Sequence, residues 1–127
     1  MSTSSHAATA APVRHRGIRV AYVFAGSIGA WMAHLFFASS FVRYSCNAGG
    51  VNWAQHLFTA LCALIAIHAT WVAYGLHREG RADAEDAGTS MGANNFIGVA
   101  GIIVGLTNLL LILAEGSFVG LIHQACR

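Results

Sequence analysis

At 127 residues the chain has room for a single domain. It is 56% hydrophobic and 9% charged, with a formal net charge of +2, against roughly a quarter charged in ordinary soluble domains. So little charge excludes an ordinary wettable globule and points to an outer face solvated by lipid, with no nucleic-acid partner expected.

Residues 1–17 open the chain as an expected flexible tail, rich in Ser, Thr and Ala up to the single proline, Pro12. The first uncharged stretch covers residues 20–42, between Arg19 and Arg43. It is too long and too rich in Phe and Trp for a signal-peptide core, and no small-residue cleavage site follows it, so it is expected to be a retained span. A turn at residues 44–50, ending Asn47-Ala48-Gly49-Gly50, separates it from the second stretch, residues 51–76. A polar loop over residues 77–92 follows, and the third stretch becomes densely apolar from Phe96. About 20 apolar residues suffice to cross the hydrocarbon core as a helix, and an open strand would leave backbone groups unpaired there. The expected fold is an all-α membrane protein with residues 18–127 as a three-helix transmembrane domain. Its spans are expected at about residues 19–43, 51–77 and 94–123.

All seven basic residues are arginines. Arg14, Arg16, Arg19, Arg78 and Arg81 must share one side of a three-span chain, with Arg43 and Arg127 on the other. The positive-inside rule then predicts a cytoplasmic amino terminus and an outside carboxyl terminus. This topology brings Cys46 and Cys126 to the same outer face. In a bacterium that face is the periplasm, where disulfides persist, so a Cys46–Cys126 bridge is expected. Cys62, in the middle of span two, reads as a free packing residue.

Placing residues at 100° intervals sorts each span into faces. Gly98, Gly101, Gly105, Asn108, Ile112 and Glu115 share an arc of span three, and small residues on such an arc let backbones approach closely. Ser27, Ala30, Trp31, His34, Ala38, Phe41 and Ser45 form the matching face of span one. The expected face of span two is His56, Thr59, Ala60, Ala63, Ile67 and Thr70. Glu115 is the one acid within a span. It lies 11 residues inside Cys126, while His34 lies 12 inside Cys46, so the two sit at similar depth and an interhelical contact is open to them. The reading favoured for Glu115 is a structural hydrogen bond to a neighbouring helix, with Asn108 as a further interhelical polar contact.

Intramembrane histidines also raise a b-type haem, since two facing histidines can ligate one iron. The candidates are His34 with His68 or His56. His56 and His68 themselves are 12 residues apart, roughly 18 Å along one helix, and cannot serve one iron together. The expectation is therefore no cofactor of the chain's own, with haem b as the alternative. No catalytic residue set and no metal-ligand spacing appears. A weaker alternative is a small transporter carrying protons on Glu115, which would need a dimer to make a pathway.

Gly29-Ala30-Trp31-Met32-Ala33-His34-Leu35 in span one, then Cys46, then His56-Leu57 opening span two, and a third span closing on Cys126 form a broader pattern. It resembles small three-helix proteins that accompany bacterial haem–copper cytochrome oxidases and the quinol-oxidising alternative complex III. The resemblance covers most of residues 18–127. It implies a non-catalytic accessory subunit of a respiratory electron-transfer complex, either a terminal oxidase or a quinol:cytochrome c oxidoreductase. Its partners would be larger membrane subunits and the lipid of the bacterial inner membrane.

Overall fold

A computed structural model describes residues 10–48, 52–86 and 92–125, with side chains described over residues 15–41, 53–83, 85 and 92–118. These residues form α1 (Ala10–Ala48), α2 (Asn52–Asp86) and α3 (Ala93–Ala125), and no strand occurs among them. All three helices are long and apolar enough to cross a membrane. The chain is an all-α, multi-pass membrane protein.

Each helix outruns the expected span. The 39 residues of α1 extend about 58 Å at ~1.5 Å per residue, nearly twice the hydrocarbon thickness. Residues 10–17 of the expected tail are helical, because α1 begins at Ala10. Pro12 does not prevent this. It is the third residue of the helix, within the first turn, where a backbone N–H has no intrahelical partner to lose. Residues 77–86 of the expected loop are helical too, since α2 continues to Asp86. That extra length carries charge. Arg19 Nη1 donates to both carboxylate oxygens of Glu79 at 2.9 Å, and Arg16 pairs with Asp83 at 3.4 Å. These pairs join α1 to α2 at the arginine-rich end of the bundle. At the start of α3, the Gly92 carbonyl accepts the backbone N–H groups of Asn95 and Phe96, which makes Gly92 the residue that caps the helix.

Small residues set the packing. The most extensive contact is between α2 and α3. A Cβ at Gly98 would lie 2.5 Å from the His77 backbone nitrogen, and one at Gly116 would lie 2.6 Å from Thr59 Cγ2. Gly101 meets Val23 and Ala73, Gly105 meets Thr70, and Gly80 meets the backbone of Asn94 and Asn95. Each step along α3 is matched to within one residue by a step back along α2, as an antiparallel pair requires. The core forms two clusters. Ala30, Cys62, Ala63, Ala66 and Ile112 make one, and Val23, Ala73 and Leu76 the other. Large apolar side chains such as Phe36, Trp71 and Leu110 point outward instead, as suits a lipid-facing surface.

The faces of α1 and α3 match the expected arcs wherever side chains are described. Ser27, Ala30 and His34 are buried on α1, and Gly98, Gly101, Gly105, Asn108 and Ile112 on α3. The face of α2 matches in part: Ala63 is buried, and Thr70 and Thr59 meet Gly105 and Gly116 of α3. His56, Ala60 and Ile67 are exposed, and the buried row is Gln55, Cys62, Ala63, Ala66, Ala69, Ala73 and Leu76. The core row is displaced by about one residue's turn, ~100° around the helix. The alanine row packs with residues of both α1 and α3, while the threonines at the flank of the expected face take the glycines of α3.

Candidate functional site

Four polar side chains on the spans, from Trp31, His34, Thr59 and Glu115, meet at one level of the bundle. His34 on α1 is 1% exposed and uses both ring nitrogens. Its Nδ1 lies 3.1 Å from Glu115 Oε2 on α3, and its Nε2 lies 2.9 Å from Thr59 Oγ1 on α2. Trp31 Nε1–H, one turn earlier on α1, donates to the other carboxyl oxygen of Glu115 at 3.3 Å. A single imidazole thus ties all three helices together.

The proton inventory follows from the donors. Thr59 Oγ1 donates its one proton to the Gln55 carbonyl at 2.9 Å, so it accepts from His34 Nε2–H. One proton then remains between His34 Nδ1 and Glu115 Oε2. It belongs either to a neutral carboxyl donating to a neutral ring or to an imidazolium donating to a carboxylate. Both forms sum to zero charge, which is the condition for placing two ionisable groups at membrane depth without a net buried ion. Glu115 retains 31% side-chain exposure, while His34 is enclosed. The site can therefore share a proton internally, with Glu115 as its outward-facing member.

Further along the bundle, Asn108 Nδ2 donates to Ser27 Oγ at 3.5 Å, and Ser27 donates in turn to the Val23 carbonyl at 3.0 Å. Gln55, 2% exposed, has an amide nitrogen without a partner among the described residues.

The other histidines lie elsewhere. His56 is exposed on α2. His68 is also exposed, and it is in contact with α1. Its Nδ1 is 2.8 Å from the Tyr22 hydroxyl, and the rings meet edge-on at 5.6 Å. Tyr22 precedes His34 by 12 residues on α1, about 18 Å along the axis, so His34 and His68 stand at separate levels. With both nitrogens of His34 engaged and His68 held at another depth, these residues do not fit a haem ligated within one chain. Cys62 is buried and free. The side chain of Cys46 and all of Cys126 lie outside the described residues.

Sequence reasoning placed His34 and Glu115 at one depth but did not name Thr59 as the third member, nor Trp31 as a donor to the carboxyl. Thr59 carried no distinguishing signal, since Thr70 donates back to the carbonyl one turn earlier in the same way. Gly116 was also missed, although it lies four residues beyond Ile112 on the same small-residue face. In comparisons of the chain with protein families, curated proteins and solved structures, nothing matches.

Proposed function

We propose that the chain is a non-catalytic accessory subunit of a bacterial respiratory electron-transfer complex, held in the inner membrane with its amino terminus in the cytoplasm. The observation that carries this reading is the enclosure of His34. Its two nitrogens are consumed by Glu115 and Thr59, so the most chemically capable side chain on the spans serves helix assembly. What the molecule offers to others is then its apolar exterior. The sequence pattern from Gly29 to Leu35, with Cys46, His56-Leu57 and Cys126, supplies the respiratory part of the reading.

A Cys46–Cys126 disulfide belongs to the same proposal. Helices α1 and α3 run parallel, with Ser27 beside Asn108 and His34 beside Glu115 at offsets of 81 residues. An offset of 80 separates the two cysteines, so the same register supports bringing them to one end of the bundle.

The test is purification of the tagged full chain from its native membranes in mild detergent, resolved on native gels, with mass identification of companions. Co-migration with oxidase or quinol-oxidising subunits is expected. In the same membranes, denatured without reductant, Cys62 should be the only thiol that alkylates. A chain that runs alone refutes the subunit reading, and alkylation of all three cysteines refutes the bridge.

A further inference from the structure

We propose that one side of the α2–α3 seam binds a single anionic phospholipid, with an acyl chain along the groove and the phosphate at Arg81 and His77. Two cavities lie in succession on this seam. The deeper, about 530 Å³, is apolar and is lined by Ile67, Trp71 and Tyr74 from α2 and by Ile102, Leu106 and Leu109 from α3. The second, about 350 Å³, is lined by His77, Arg81, Asn95, Phe96 and Val99. Along α2 the lining residues continue at three- and four-residue spacing from Tyr74 to His77 to Arg81. Along α3 they continue from Ile102 to Val99 to Asn95, so both cavities fall on the same side of the helix pair. From Ile67 to Arg81 the groove runs about 21 Å at ~1.5 Å per residue, enough to follow one leaflet's hydrocarbon of roughly 15 Å and reach the headgroups.

The chemistry changes where a lipid's would. His77 Nδ1 and Asn95 Oδ1 are both buried and lack partners among the described residues. Arg81 is exposed beside them and takes part in no ion pair among the described residues, and Glu79 and Asp83 are paired with Arg19 and Arg16 on α1. The first turn of α3, which carries Asn95, holds no acid. The charged Arg19–Glu79 pair marks this level as the edge of the hydrocarbon, since both side chains need water or headgroups around them. A phosphate here would take charge-assisted bonds from the Arg81 guanidinium and His77 Nδ1–H, and a headgroup hydroxyl would donate to Asn95 Oδ1. Phe96 and Val99 supply the apolar step between headgroup and chain.

The test is native mass spectrometry of the full chain in detergent, titrated with phosphatidylglycerol. One lipid per chain is expected to be retained, and phosphatidylcholine should bind at least fivefold more weakly. Arg81→Gln, an exposed substitution that spares the core, should weaken phosphatidylglycerol at least fivefold. Arg78→Gln, which removes a charge outside both cavities, should stay within twofold of the wild type. Millimolar inorganic phosphate should not displace the lipid. Equal binding of the two lipids, or an unaffected Arg81→Gln, overturns the proposal in favour of a groove that takes any apolar occupant. Displacement by phosphate alone overturns it in favour of a soluble anion. Displacement by an isoprenoid quinone, equal in wild type and Arg81→Gln, overturns it in favour of a neutral ligand.

Discussion

The two attachments within the bundle are made differently. Helix α3 meets α2 through bare backbone, with Gly98 on His77, Gly105 on Thr70, Gly116 on Thr59 and Gly80 on Asn95. Helix α1 meets the other two through side-chain bonds, from Arg19–Glu79 at one end through Tyr22–His68 and Ser27–Asn108 to the His34 contacts. Lipid tails solvate apolar side chains as well as protein does, so burying such side chains holds membrane helices together only weakly. Close backbone approach and interhelical hydrogen bonds are the two remaining means, and the molecule assigns one mainly to each attachment. The glycine contact tolerates no added volume, whereas the polar contact tolerates changes of volume and fails on loss of a partner.

The largest effect should come from adding volume to the glycine seam. Gly98→Leu places a side chain against the His77 backbone, which cannot rotate away, and should cost about 3 kcal/mol or more, at the upper end of overpacking. Gly29→Ala is the matching control. Nothing lies within 4 Å of its added Cβ, so stability should remain within about 1 kcal/mol of wild type. Reversible unfolding of the purified chain in mixed micelles measures both. Equal effects would mean that close approach is not what joins α2 to α3.

A smaller effect belongs to the polar attachment. A double-mutant cycle of His34→Ala and Glu115→Ala should give a coupling between the average of ~0.6 and the maximum of ~1.7 kcal/mol found for interhelical hydrogen bonds in membranes. Glu115→Gln should retain much of that coupling, because an amide still accepts from Trp31 and still pairs with His34. A coupling near zero would show that the His34–Glu115 contact does not help to hold α1 to α3.

The smallest effect is expected at the arginine-rich end. Side chains of Arg19 and Glu79 are 39% and 51% exposed, so the pair should contribute no more than about 1 kcal/mol despite its two 2.9 Å bonds. Its contribution should shrink further as salt is raised. A salt-independent coupling in the same micelle assay would place this pair in hydrocarbon rather than at its edge.

The candidate site was legible in part, and the reason is geometric. His34 and Glu115 are both polar exceptions in apolar runs, and counting residues from the helix ends fixes depth without knowledge of the neighbours. Thr59 could not be selected in the same way, because helix two offered His56 and Thr70 on the same arc with equal claim. Gln55 was invisible for the same reason, since one polar residue near a helix end is unremarkable until a neighbour covers it.

The sequence by itself determined that there are three apolar helices, that α1 and α3 each bury a row of small and polar residues, and that His34 and Glu115 share a depth. These are properties of one helix at a time, set by hydropathy, a 3.6-residue period and rise per residue. Only the tertiary structure decided the rotation of α2, the closure of Thr59 over His34, the lengths of the helices beyond the spans, and the groove that ends at Arg81. Each of those depends on two neighbours competing for one helix surface. The alanine row of α2 packs with residues of both neighbours while its threonines take the glycines of α3, a balance of packing that no single helix contains.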